Sequence, residues 1–435
     1  MRLRLANPAS RWLLFLAVFL IAAIMCWEGG KHALVTHYAN SADPQDLQRA
    51  ADLEPSNADH WYMLGRYRQL DFENEDLTQA IGYYRRAIAL DPNSPYYWLD
   101  LASTYDEAGD ATDAEAAYLA AQRDHPISGE AAWRYGNFLL GQGRYDQAYA
   151  EIHRGLMSEP QWSALAVSRA WRVSQDVNVL LDRVLPDSAE ARQPALTFLV
   201  AQKQADAAVA VWQRMVQRRD PLPFASAFPL IDMLIAQDEI PQAWEVWKED
   251  LSASGMPSGL DNGSLVTDGG FESDFTNGGF GWRYAAQPGA DASLDAIDPH
   301  SGARDLQIAF DGSTNVDFQN LYAYLPVEPA TAYHFSAYMR SENLVSDSTV
   351  HFELFDPVHP YDPVLATPGV LGSEPWTPIE LDFETSADTH VLILRLRRPA
   401  STVLTKIVGT AWADDVSLVP SAPVAAPVST AGNTP

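Results

Sequence analysis

A chain of 435 residues with 47% hydrophobic and 11% aromatic residues is too long for one ordinary domain and too apolar to be mainly disordered, so two or three packed domains are expected. Its 57 acidic against 29 basic residues give a net charge of −28, which repels a phosphate backbone and excludes nucleic acid as a partner. The one cysteine, Cys26, allows neither a disulfide framework nor a cysteine-built metal centre.

The first element is a run of sixteen uncharged residues, WLLFLAVFLIAAIMCW from Trp12 to Trp27, preceded by Arg2, Arg4 and Arg11. As a helix it covers about 24 Å, somewhat less than a hydrocarbon core of about 30 Å, and a snorkelling Arg11 with a tryptophan at each end absorbs the difference. The expectation is a single transmembrane helix over 12–28. Residues 1–11 are then cytoplasmic by the positive-inside rule, and the bulk of the chain lies outside a bacterial cytoplasmic membrane. A cleaved signal peptide fits the same length and charge, although no small-x-small site follows the apolar run and Met25 suits a lipoprotein cleavage site poorly.

Beyond the span, Pro92, Pro126 and Pro160 recur at intervals of 34 residues. Counting a unit from Pro95, Trp98 stands at position 4, Leu101 at 7, Ala102 at 8, Tyr105 at 11, Ala114 at 20, Tyr118 at 24, Ala121 at 27 and Pro126 at 32. A second unit from Gly129 and an earlier one from Ala58 repeat the pattern, the latter with three extra residues between Gln69 and Leu77. Residues 58–160 therefore closely resemble the tetratricopeptide repeat family. Small residues at 8, 20 and 27 let antiparallel helices approach, and Gly65, Ala102 and Gly136 are expected to face successive neighbours in the pile. Gly109 and Gly143 read as turn glycines, so Gly141 and Gly143 do not make a phosphate loop. Weaker helical spacing continues through 205–215 and 239–247, giving an all-α solenoid over 40–255.

The resemblance implies a concave groove that binds proteins or peptides. Its lining falls on Tyr62, Arg66, Tyr96, Leu99, Ser103, Asp106, Trp133 and Asn137. Trp133 is displaced by one position toward the groove, and packing between the helices explains it equally well. Members that clamp a C-terminal carboxylate use groove lysines, and residues 32–202 contain none.

After residue 263 the pattern changes to short alternating segments, as in AYHFSAYMR, VHFELF and HVLILRLR, which indicates antiparallel strands over 264–419. LVTDGGFES at 265–273, GW at 281–282, HSGARDLQI at 300–308, YHFSAYMRS at 333–341 and WADDVSL at 412–418 occur in the order found in galactose-binding-like jelly rolls. The domain resembles carbohydrate-binding modules of families four, nine and twenty-two. That resemblance implies a structural calcium on Glu272 with Asp414 or Asp415, though acids that only cap turns fit the same positions. It also implies a glycan-binding sheet face. Alternation places Tyr338 and Arg340 on it, and the neighbouring strands are expected to add His351, Glu353, Arg395 and Arg397. A solvated or docking surface is the alternative. Trp282 and Trp376 read as core, and the Pro/Ala/Ser-rich tail at 420–435 as disordered.

No HExxH, GxSxG, GxxxxGK[ST] or dinucleotide fingerprint occurs, so no enzyme and no cofactor beyond calcium is expected. Glu353 is the one suggestive acid, and a salt bridge to Arg340 or Arg395 explains it as well. The resulting expectation is a membrane-anchored extracytoplasmic scaffold in envelope or exopolysaccharide work, with proteins bound by the repeats and polysaccharide by the sandwich. The alternative is a lectin-like protein in which the solenoid is a spacer.

Overall fold

The computed structural model describes residues 8–41, 43–71, 75–256, 260 and 263–421. Residues 1–7 of the expected cytoplasmic segment, 72–74 of the inter-helix insertion and 422–435 of the tail lie outside the described residues. The chain divides into two compact units, Met1–Ala191 and Arg192–Pro435.

In the first unit, α1 (Pro8–Ala39) carries the apolar run, whose side chains from Trp12 to Trp27 are exposed along its length. The helix is long and apolar enough to cross a membrane. It continues unbroken past the run to meet α2 (Pro44–Leu53): Arg49 stacks on the Tyr38 ring, His32 lies 3.8 Å from Glu54, and Val35 is buried. Three hairpins follow: α3 (Ala58–Leu70) with α4 (Leu77–Leu90), α5 (Pro95–Glu107) with α6 (Ala111–Asp124), and α7 (Gly129–Gly141) with α8 (Tyr145–Ser158). Each second helix of the first two pairs starts at an aspartate whose carboxylate accepts a backbone N–H three residues on, Asp76 from Gln79 and Asp110 from Asp113. Gly109 and Gly143 turn the chain with φ of +80° and +73°.

The small residues close each hairpin on itself, which corrects the expectation that Gly65 and Gly136 face the next repeat. A Cβ on Gly65 would stand 2.7 Å from the ring of Tyr84, and one on Gly136 would stand 2.8 Å from Ile152 Cγ1 and 3.0 Å from its backbone N. These contacts join positions 8 and 24 of one unit. Regularity declines after Pro160 through α9 (Ser163–Ser174), α10 (Val177–Val179) and a single π-turn at Leu180–Val184.

The second unit contains helices as well as the sandwich. The division falls within α11 (Ala189–Ala201), and α12 (Ala205–Arg218), α13 (Phe228–Ala236) and α14 (Ile240–Ser254) follow it in the second unit. Trp247 of α14 is fully buried between Phe228 and Phe280, and its indole N–H donates to Thr267 Oγ1 at 3.2 Å. Only a residue without Cβ fits at Gly279, where that atom would stand 2.5 Å from the Trp247 ring. Asp232 of α13 forms an ion pair with Arg283. The last two helices therefore pack on the β-domain. Asp250 of α14 is fully buried with neither oxygen closing a hydrogen bond, and burial pushes its carboxyl up to about 6. The N–H groups of Ala225 and Ala227 offset this only in part.

The sandwich consists of β1 (Arg283–Tyr284), β2 (Ala290–Asp295), β3 (Asp305–Asp311), β4 (Leu321–Pro326), β5 (Ala332–Val345), β6 (Val350–Phe355), β7 (Leu365–Val370), β8 (Gly372–Glu384), β9 (Val391–Arg397) and β10 (Val408–Pro420). One antiparallel sheet runs β1-β4-β9-β6-β7 and the other β2-β3-β10-β5-β8. Leu306, Ile308, Phe310, Phe335, Phe352, Leu394, Leu396 and Trp282 fill the space between them.

Candidate binding surfaces

The inner wall of the repeats is already cross-linked. Asp100 of α5 accepts from the Tyr62 hydroxyl of α3 at 2.8 Å and from both terminal nitrogens of Arg134 of α7 at 2.9 Å, with Arg66 Nε at 3.8 Å. One carboxylate thus joins three successive first helices. Burial and the neighbouring Asp100 raise the Tyr62 hydroxyl pKa, which keeps it a donor. Ser103 donates to Glu107, and the Asn137 amide donates to the Trp133 carbonyl.

Two residues expected in the groove are not there. Leu99 is 1% exposed, because it belongs to the apolar stripe of α5. Trp133 is 8% exposed, packed against Trp162 at 5.4 Å and under Arg169, which is the interhelical packing that explained it equally well. Tyr96 and Asp106 face solvent.

The expected glycan face divides between two sheets. Tyr338 and Arg340 point outward from β5, as alternation requires, but His351 and Glu353 lie on β6 and Arg395 and Arg397 on β9 of the other sheet. The chain changes sheet between β5 and β6, so strands adjacent in sequence are not adjacent in space.

On the β5 side, Arg340 sits over Trp412 at 4.1 Å and Trp376 at 5.2 Å and pairs with Asp298 at 2.8 Å, while His300 stacks on Tyr338 at 3.6 Å. Trp376 is therefore a surface ring and not core. The loop 296–304 lies on this face. Beneath it Asp305 is fully buried without a hydrogen-bond partner among the described residues, and burial, then Asp295, push its carboxyl up to about 7.

The β1-β4-β9-β6-β7 sheet presents an outward row of Arg283, Tyr322, Arg395 and Glu353, and beside it Tyr324, Ile393 and Phe355. All are half-buried. Arg395 donates to Glu353 through Nε at 2.8 Å and through a terminal nitrogen at 2.6 Å, and its guanidinium covers the Phe355 ring at 4.5 Å. His351 Nε2 is 3.5 Å and Arg397 Nε 3.8 Å from the same Glu353 carboxylate. Of the two ion pairs considered for Glu353, the structure forms the one with Arg395. The outward tyrosines of β4 were missed, although the alternation of Leu321, Ala323 and Leu325 with Tyr322 and Tyr324 was available to show them.

Around the expected calcium position, Glu272 Oε1 accepts the N–H of Ala303 at 2.7 Å, and Asp414 accepts those of Ser301 at 3.0 Å and Asp415 at 2.7 Å. Gly270 brings the two acids together: its Cβ would lie 3.8 Å from Asp414 Oδ1 and 3.9 Å from Glu272 Cγ. Burial raises the Asp414 carboxyl pKa, a cost that a hard cation on these oxygens would relieve. Glu272 and Asp414 are engaged by backbone N–H groups in this arrangement. Asp415, with φ of +51°, turns instead to His300 Nδ1 at 2.6 Å and the Ser301 hydroxyl at 2.6 Å.

Residues 71–127 and 107–170 match one family model described as a tetratricopeptide repeat, and residues 45–95 match a second. Residues 263–402 match a model described as a carbohydrate binding domain. A curated relative, small glutamine-rich tetratricopeptide repeat-containing protein 2 of Mycosarcoma maydis, is 33% identical over 86 residues, which is 20% of this chain and 24% of that protein. The chain thus spans about a quarter of the relative's length. Among solved structures, Pseudomonas aeruginosa pilF is similar at 17% identity over 47% of this chain and 79% of that one, with a TM-score of 0.26. YrrB, a TPR protein with an unusual peptide-binding site, is similar at 14% over 49% and 94% with a TM-score of 0.23. A CBM4 structure is similar at 15% over 36% and 99% with a TM-score of 0.26. The chain carries tetratricopeptide repeats, which imply protein interaction, and a carbohydrate binding domain, which implies carbohydrate binding. Neither is a catalytic kind of domain.

Proposed function

We propose that this chain is a membrane-anchored extracytoplasmic scaffold of a bacterial envelope, which engages partner proteins through its repeats and a polysaccharide through the β1-β4-β9-β6-β7 face. The observation that carries the glycan half is the floor of that face. Tyr322, Tyr324 and Phe355 offer half-buried rings for stacking on sugars, and Glu353 and Arg395 offer a charged acceptor and donor for hydroxyls. The β5 face is disfavoured because its rings are stacked on one another and lie beneath a loop. Calcium on Glu272 and Asp414 would tie the loop at 300–304 to β10 and serve stability, away from the sugar.

The exposed apolar flank of α1 supports an anchor, and Tyr96 and Asp106 mark the open part of the groove. A second reading, a glycan-binding protein with the repeats as spacer, is favoured by the internal Tyr62, Arg66, Asp100 and Arg134 links, which occupy groove side chains. Affinity electrophoresis of the full-length protein in detergent, through gels containing neutral or acidic polysaccharides, tests the glycan half. We expect retardation by at least one polymer, lost in Tyr322→Ala and kept in Tyr338→Ala. Retention in the first variant and loss in the second would move the site to the opposite sheet.

A further inference from the structure

The loop between β6 and β7 reads DPVHPYD from Asp356 to Asp362, placing two carboxylates and an imidazole at intervals of three. The fold brings them together: one ligand atom from each of Asp356, His359 and Asp362 lies within 4.8 Å of the others. Ligand pairs around a small divalent ion stand roughly 3.2–4.4 Å apart for bonds of about 2.0–2.2 Å, so the cluster is close to ligating size: the 2.9 Å contact of Asp356 with His359 has to open slightly and the wider separations, all within 4.8 Å, to close slightly. Asp356 is fixed as an anchor, 6% exposed, its Oδ1 accepting the N–H groups of Val358 and His359 at 2.7 and 3.1 Å. Its Oδ2 faces His359 Nδ1 at 2.9 Å and the Thr389 hydroxyl at 2.8 Å. A third carboxylate, Asp388, stands 3.4 Å from His359 Nε2.

Two further observations point to a cation. Three acids, Asp356, Asp362 and Asp388, stand around one imidazole, and among the described residues none of the three is paired with an arginine or lysine. Beside the cluster is a cavity of about 170 Å³ lined by Asp356, Asp362, Glu384, Ser386 and Thr389 with Leu354 and Leu392 behind, which has room for an ion and its waters.

We infer that Asp356, His359 and Asp362 form a binding site for a divalent cation of the Zn2+ or Mn2+ class, with Asp388 at its rim. The imidazole decides the class, because Ca2+ takes oxygen ligands alone while Zn2+ and Mn2+ accept nitrogen with carboxylates. The site is separate from Glu272 and Asp414 and closes the loop that follows Glu353 and Phe355.

The test is isothermal titration of Zn2+ into the full-length protein in detergent, stripped with EDTA and then supplied with Ca2+ to occupy hard-oxygen positions. One equivalent should bind, and His359→Ala and Asp362→Asn should each weaken it at least tenfold with unchanged near-UV circular dichroism. Among the described residues the Asp362 carboxylate accepts only the Ser386 hydroxyl at 3.2 Å, so that variant decides alone if His359→Ala does not fold. No binding by the stripped protein, or equal affinity in the wild type and Asp362→Asn, would overturn the inference.

Discussion

Asp250 shows what a single buried side chain does when the fold gives it no partner. Its carboxyl is pushed up to about 6 by burial, so the folded state keeps a proton that the unfolded state, with an ordinary value near 3.9, gives up first. The contribution is favourable below about pH 4 and is lost as pH rises through about 6. Asp250→Asn keeps the shape and removes the titration. We expect the variant to match the wild type at pH 4 and to melt roughly 2–4 °C higher at pH 7.5, as about 1 kcal/mol gives in a unit of this size, measured by calorimetry across the pH range. Buried ionic partners behave differently: removing Arg395 would leave Glu353 charged and half-enclosed, which is costly. At this scale the sequence was readable in part. Glu353 and its arginine stood out by residue type, whereas Trp133 did not reveal its side, because one helical position moves a side chain by about 100°, a difference that neighbouring Trp162 and Arg169 then decided.

Elements were more legible than their partners. The repeat units and the strands of the sandwich follow from period and alternation, which report whether a side chain points in or out. Alternation does not report which sheet a strand joins, and for that reason His351, Glu353, Arg395 and Arg397 were placed on a common face with Tyr338 and Arg340. The hairpin interiors give a graded test. At Gly136 an added Cβ would meet backbone, Ile152 N at 3.0 Å and Ala148 O at 3.2 Å, whereas at Gly65 it would meet only the Tyr84 ring. Backbone cannot swing aside as a ring can. Gly136→Ala should therefore destabilise the first unit by about 1–3 kcal/mol and Gly65→Ala by less, both read from urea unfolding.

For the whole molecule, the instructive feature is that the second compact unit holds helices together with the sandwich. An amphipathic helix has the same sequence pattern whether its apolar stripe meets another helix or a sheet, so α13 and α14 were assigned to the solenoid by period although Trp247 packs against Phe280. Limited proteolysis of the full-length protein should release a resistant core beginning close to residue 192. A stable core beginning at 264 would mean that these helices are dispensable to the sandwich. The other end of the chain has its own consequence. Because α1 passes without interruption from its apolar stretch into contact with α2, the proposed anchor would join the first hairpin as a stiff post and not as a leash. With α1 in a bilayer, as proposed, tilt or rotation of that post would be transmitted to the first hairpin, and the angle at which the repeats meet an incoming polypeptide would be set at the membrane surface.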